Sequence, residues 1–267
     1  MKFLYLLFFF SILLSCNDHI IEKNRYRERN PIEKIEINMK SGTLVINGWH
    51  ENYIDIYVEK TLMSGLKSDI SFLSTDILSD QNNKKLVLTA KQPDRINGEI
   101  NLLLNIPYSI QSAFISTNST KTTISQYIGD IIYTSDTGDL YMDVYGSISK
   151  FKTHEGNINI NIIPNGTINL LINNNYGDTN VNFPKSLNQT FIDIKSINGN
   201  ITFNTKSMET ISLSAISTNI ITFDQKKLPH ALNARNNDYF TLQYESNNPL
   251  GDIFIKNDNG FIFFNLF

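Results

Sequence analysis

A polar residue followed by a turn recurs through this chain at a nearly constant interval, and that interval limits the folds open to it. Ser116, Ser135, Thr153, Asn174, Ser196, Ser217, Asn236 and Asn257 each follow a short run of alternating apolar residues. The gaps between them are 19, 18, 21, 22, 21, 19 and 21 residues. Gly138, Gly156, Gly177, Gly199 and Gly260 stand three residues further on; in the other three rows Asn118, Asn219 and Asp238 stand one place earlier. Such a turn needs a residue that tolerates positive φ, and Asn and Asp are the best substitutes for Gly. Ser, Thr or Asn at the first position can hydrogen-bond the turn backbone two or three residues on.

Strands flank each turn, as in Phe191-Ile-Asp-Ile194 before Ser196 and Ile201-Thr-Phe203 after it. Period-2 alternation dominates elsewhere too, at Ile35/Ile37, Ile54/Ile56/Val58, Leu86/Leu88, Ile158/Ile160/Ile162 and Ile168/Leu170/Ile172. The expected fold class is therefore all-β: a single-stranded parallel β-solenoid, or β-helix, with rungs of about 18–22 residues. Rungs stack about 4.8 Å apart, so eight would span on the order of 40 Å, with inward Ile, Leu, Val and Phe forming one column. The phrase Gly-x-Ile-Asn-[Ile/Leu] at Gly156 and Gly166 is read as two corners of one rung, with Pro164-Asn165-Gly166 as the second. Residues 34–112 are less regular: Ser41–Thr61 reads as a hairpin capping the stack, and Ser64–Asp80 as an insertion or edge. The very apolar end, Asn259–Phe267, reads as a last solenoid strand rather than an outer-membrane barrel signal, because the alternation breaks at Asn265.

The N-terminus carries an address. Met1–Ser15 is one Lys followed by an apolar run from Phe3 to Leu14. About a dozen residues is short for a membrane span, which needs roughly 20, and right for a signal-peptide core. It ends in Leu13-Leu14-Ser15-Cys16, which resembles a bacterial lipobox. That resemblance implies cleavage after Ser15 and lipidation of Cys16, the sole cysteine of 267 residues. Two or three acyl chains anchor more firmly than the marginal hold of one. One cysteine also excludes an intramolecular disulfide and a cysteine-rich zinc site. Residues 16–33 read as a polar tether, in which Glu22, Glu28 and Glu33 dilute the field of Arg25, Arg27 and Arg29. The domain plan is thus a signal peptide (1–15), acylated Cys and tether (16–33), and a β-solenoid (34–267) whose regular rungs occupy 113–267.

The phrase Ser41–Trp49, the strand Ile54–Val58 and the repeated turns Ser135–Leu140 and Thr153–Ile158 together resemble the DUF4097 group of adhesin-like domains. The similarity covers residues 34–267 and is best over 114–205. It implies a β-helical, non-catalytic protein of the bacterial cell envelope, often with a lipoprotein signal.

Chemistry is sparse in the sequence. A net charge of −3, with 23 basic and 26 acidic residues, gives no electrostatic footprint for nucleic acid. His19, His50, His154 and His230 are far apart and form no pair at metal-ligand spacing. No nucleophile elbow, P-loop or dinucleotide fingerprint occurs. No catalytic residue, cofactor or metal ligand is therefore assigned. The turn acids Asp130, Asp139, Asp178 and Asp252 could bind calcium or supply an acid/base pair for glycan cleavage if stacked on one face. Other rows carry Asn157, Asn200, Ser147 or Thr167 at that place, which favours ordinary turn chemistry. Trp49, Tyr127, Tyr133, Tyr141 and Tyr145 serve either an aromatic binding face or the core. The abundant Asn serves ladders and turns or reflects the base composition of the gene. The functional expectation is a lipid-anchored envelope protein, at the outer rather than the inner membrane, presenting a non-catalytic surface to a polysaccharide or another envelope protein. The alternative is a carbohydrate-active hydrolase or lyase on the same scaffold.

Overall fold

The computed structural model describes residues 19–267 except 146–147, 164–166, 184–188, 209, 225, 229, 237 and 247–248. The described residues are all-β, with 21 strands in one continuous, largely parallel sheet. The first strands are β1 (Ile20–Glu28), β2 (Lys34–Trp49), β3 (Ile54–Leu62), β4 (Ser74–Asp80), β5 (Lys85–Lys91), β6 (Gly98–Pro107) and β7 (Ser112–Ser125). A short 3-10 helix, Lys67–Phe72, precedes β4. Then come pairs joined by a sharp corner: β8 (Asp130–Thr137) with β9 (Leu140–Val144), β10 (Ile148–Glu155) with β11 (Ile158–Ile162), and β12 (Ile168–Tyr176) with β13 (Thr179–Phe183). The series continues with β14 (Thr190–Asn198) and β15 (Ile201–Thr205), then β16 (Ile211–Ser217) and β17 (Ile221–Phe223). A hairpin of β18 (Leu232–Asn236) and β19 (Tyr239–Tyr244) leads to the final pair, β20 (Gly251–Asn259) and β21 (Ile262–Leu266).

Each pair is one coil, and successive coils match in parallel register at separations of 18, 18, 21 and 22 residues. β2 and β7 are single long strands that run through the corner, so the sheet folds along it into two arms. On the first arm Leu88, Ile37, Ile115, Tyr133, Phe151, Ile172, Ile194, Ile255 and Ala215 form one buried row. On the second arm Leu104, Ile46, Ile124, Met142, Ile160, Val181, Phe203 and Phe264 form the facing row. Alternation along each strand sends the intervening polar residues outward.

The corner is built from a buried polar row, Thr117, Ser135, Thr153, Asn174, Ser196, Asn257 and Ser217. Asn174 Nδ2 donates to the carbonyls of Gly156 (3.1 Å) and Gly177 (3.0 Å). Asn257 Nδ2 likewise donates to Gly199 O at 2.8 Å. The turn residues singled out in the sequence thus supply this row, with two corrections. At the first coil the stacked residue is Thr117, not Ser116, which points outward. Asn236 belongs to no coil, because β18 pairs antiparallel with β19.

Gly177 shows why the corner needs glycine. Its φ is +130°, and a Cβ there would lie 2.2 Å from the carbonyl oxygen of Gly156 in the coil beneath. Gly156 stands over Gly138 in the same way, so these glycines form a column that lets backbone touch backbone.

Three further expectations are corrected. Residues Ile20–Glu28, read as part of a tether, form β1, paired antiparallel along all of β3. Polar residues fall on both faces of β1, so it lacks the alternation of a half-buried strand; ion pairs hold it at the edge instead. Arg25 clasps the buried Asp55 with Nε–Oδ1 2.9 Å and Nη2–Oδ2 2.7 Å, and Lys60 holds Glu22 at 3.0 Å. The Ser41–Thr61 stretch is not a hairpin, since β6 lies between β2 and β3. The segment 64–80 does end as an edge strand, because β4 pairs with β5 alone. Finally, Asn259–Phe267 completes a coil, but not the outermost one. β20 and β21 lie between β14/β15 and β16/β17. The expected corner Pro164–Gly166 falls outside the described residues.

Candidate binding face

The outer surface of the second arm carries a row of amides. β3, β6, β2 and β7 align Asp55, Asn105, Asn47 and Ser125. β7 and β9 pair Ile124 with Met142, which puts Asp143 next in the row. Asn161, Asn182, Asn204 and Asn265 follow, one per coil. Each side chain hydrogen-bonds to the next: Asn161 Nδ2 donates to Asp143 Oδ1 (3.1 Å), Asn182 to Asn161 (3.0 Å), Asn204 to Asn182 (2.6 Å) and Asn265 to Asn204 (2.8 Å). Nearer the N-terminus, Ser125 Oγ donates to Asn47 Oδ1 at 2.6 Å. A primary amide has two N–H donors and two carbonyl lone pairs, and a ladder uses one of each. Each laddered amide keeps a further donor and acceptor, and the row, with Asn161 and Asn265 exposed and Asn182 and Asn204 half-buried, repeats at one coil spacing, about 4.8 Å.

Aromatic rings stand beside this row. Tyr141, 40% exposed, is in register with Asn159, and Lys121 Nζ sits 5.6 Å over its ring. Phe261 and Phe263, 6.1 Å apart, flank the far end. At the near end the Arg25 guanidinium lies 4.7 Å over Tyr57 and holds the Asp55 carboxyl below its ordinary value. Tyr127 and Tyr133 belong to the core: Tyr133 Oη donates to Thr122 Oγ1 (3.2 Å), and burial pushes the Tyr127 phenol up. Trp49 donates its indole N–H to Tyr53 O at 3.0 Å and packs edge-on against that ring.

A third row explains two of the turn acids. Asp139 Oδ1 accepts the Asn157 N–H (2.8 Å), Asn157 Oδ1 accepts that of Asp178 (3.0 Å), and Asp178 Oδ1 accepts that of Asn200 (2.8 Å). These side chains bind the backbone of the adjoining coil, which is why Asn and Asp interchange there. Asp130 similarly accepts the Ile148 N–H at 3.2 Å, on the first arm. Asp252 is separate from all three and lines an open cleft of 320 Å³ together with Glu245, Ser246 and Gln243.

The histidines stay apart: His154 contacts Asn175 at 3.1 Å, and His50 packs edge-on against Tyr108. Among the described residues no three His, Cys, Asp or Glu gather as a metal site, and no helix is long and apolar enough to cross a membrane. Ser15 and Cys16 lie outside the described residues. The amide row was missed from the sequence although a signal exists. Ser125, Asp143, Asn161, Asn182, Asn204 and Asn265 each stand eight residues after Thr117, Ser135, Thr153, Asn174, Ser196 and Asn257.

A stacked all-β scaffold with a long, flat polar face is the class that the fold and this surface define. No protein-family model and no curated protein matches the chain. Solved structures do match. A candidate cell adhesion protein from Clostridium sporogenes has 14% identity over 94% of this chain and 100% of its own, with a TM-score of 0.38. A candidate adhesin from Bacteroides fragilis has 10% identity over 92% and 97%, with a TM-score of 0.37. A candidate lipid binding protein from Parabacteroides distasonis has 10% identity over 91% and 96%, with a TM-score of 0.29.

Proposed function

We propose that this chain is a bacterial envelope lipoprotein of the DUF4097 type, anchored through Cys16 at the outer membrane, whose β-solenoid binds an extended polysaccharide along its second arm. The amide row supports the polysaccharide reading. It offers a donor and an acceptor at each coil from Asn161 on, a repeat comparable with the rise of a sugar unit in an extended chain, and its flanking aromatics suit the apolar faces of sugar rings. The partner is engaged without being cleaved. Another envelope protein is the other class of partner that such a face suits.

The triple variant Asn161→Ala, Asn182→Ala, Asn204→Ala tests the face, because all three side chains point outward and their removal leaves the core intact. Binding of the purified protein to envelope polysaccharide should weaken at least tenfold, the equivalent of about 1.4 kcal/mol; unchanged binding refutes the assignment. Cys16→Ala should abolish incorporation of labelled fatty acid, and persistent labelling refutes the anchor. Protease treatment of intact cells distinguishes a surface-exposed from a periplasmic domain.

A second reading, glycan hydrolase or lyase, has one observation in its favour, the Glu245 and Asp252 carboxylates on one cleft. Release of reducing or unsaturated sugar ends that Glu245→Gln and Asp252→Asn both abolish would overturn the non-catalytic reading.

A further inference from the structure

We propose that the segment 63–72, together with the start of β1, is a membrane-docking patch that seats the N-terminal end of the stack on the bilayer. The inference rests on the lipid anchor at Cys16 and deepens it. Four residues lead from Cys16 to Ile20, the first residue of β1, and span at most about 14 Å even fully extended. The anchor therefore holds this end of the molecule within reach of the lipid headgroups. β17, at the opposite edge of the second arm, lies ten strand spacings away, about 48 Å.

The surface at the anchored end is partly apolar. Leu62 and Leu73 are fully buried, but the residues between them form an excursion whose 3-10 helix buries no residue. Leu66 is 71% exposed, Phe72 44%, and Ile21 on the adjoining β1 is 53% exposed. The helix lies against β1 and β3. The half-buried Asp69 accepts the Leu66 N–H at 2.9 Å, while Arg95 stacks 5.0 Å over Phe72 and Lys67 is exposed. Large apolar side chains with basic neighbours match the boundary between headgroups and acyl chains, where interfacial segments sink about 5–10 Å. Ile220 and Leu232 are exposed elsewhere, but Leu66, Phe72 and Ile21 lie at the end that the anchor holds.

The test uses the full chain, processed and acylated in a lipoprotein-making bacterium and reconstituted into phosphatidylcholine–phosphatidylglycerol vesicles. Acylation consumes the Cys16 thiol, so Leu66→Cys supplies the only free thiol for an environment-sensitive fluorophore. Ile220→Cys, at the far end, is the reference. On vesicles the position-66 probe should shift to the blue and become about fivefold less accessible to iodide, as expected for immersion in the interface, while the position-220 probe is unchanged. Ile21→Cys should behave like Leu66→Cys, and adding Leu66→Ser with Phe72→Ser should restore its quenching. A position-66 probe as quenchable as position 220, in protein that does carry labelled fatty acid, overturns the docking patch and leaves the anchor standing. Failure of the wild-type chain to take up fatty acid overturns the anchor, and the patch with it.

Discussion

Replacing Gly177 by Ala probes the corner directly, because the sign of the effect is diagnostic. Were the backbone there compatible with a side chain, the substitution would stabilise the protein by about 0.4–1 kcal/mol through the unfolded state. The structure requires the opposite. At φ +130° an L-residue is strained, at a cost of about 1–3 kcal/mol. The new Cβ would also meet Gly156 O at 2.2 Å. Contact at an ordinary distance requires the two coils to part by about 1 Å, an overpacking cost of about 1–3 kcal/mol. Parting stretches the bonds on either side, Gly156 N to Tyr176 O (2.8 Å) and Ile158 N to Asp178 O (2.9 Å). Allowing for the unfolded-state gain, the net loss is about 3 kcal/mol, roughly a sum of these parts. Urea unfolding followed by far-UV circular dichroism would show it as a midpoint lowered by more than about 1 M at unchanged slope. An unchanged or raised midpoint would refute the account of the corner as a glycine column.

Two other outcomes follow from the packing and the charges. Phe264→Ala should cost about 3–5 kcal/mol, as much as Phe203→Ala, since the two rings pack 5.7 Å apart in the middle of the stack; a loss near zero, as for a fraying terminus, would contradict the inserted position of β21. Asp55 has its pKa lowered from 3.8, first by its hydrogen bonds to Arg25, so the clasp contributes fully above about pH 4 and is lost as pH falls through the depressed value. Protection of the β1 amides, taken relative to intrinsic exchange, should therefore fall below about pH 4 and, in Asp55→Asn, already at neutral pH; protection independent of both would separate β1 from the clasp.

The repeating corners were legible in the sequence because they are local. A buried polar residue, a positive-φ glycine and alternating flanks lie within ten residues, and Ser135, Thr153, Asn174, Ser196 and Asn257 all take the places that their spacing implies. What spacing cannot convey is which coil lies on which. Ser217 and Asn257 look like members of one ascending series, yet the coil of Asn257 lies between those of Ser196 and Ser217. The pairing is decided by contacts between residues 61 positions apart in sequence. β1 was illegible for another reason: Arg25 and Glu22 read as solvated tether charges until Asp55 and Lys60 stand opposite them. The amide row sits between these cases, periodic in the sequence but significant only once the coils are stacked.

The insertion of β20 and β21 makes the coil of β16 and β17 wait for strands that follow it in the chain. A chain made from its N-terminus can stack its coils one after another as far as β15, each new coil finding a finished platform. Then the order breaks. β16 and β17 emerge before the coil on which they rest, and the hairpin of β18 and β19 has only β16 to lean on. The pairing of β16 and β17 with the stack waits for β20 and β21. A chain without β20 and β21 is left with open sheet edges where those strands make a continuous ladder, and unpaired edges are what aggregation and proteolysis recognise. The architecture thus makes the coil of β16 and β17 depend on strands that follow it in the chain.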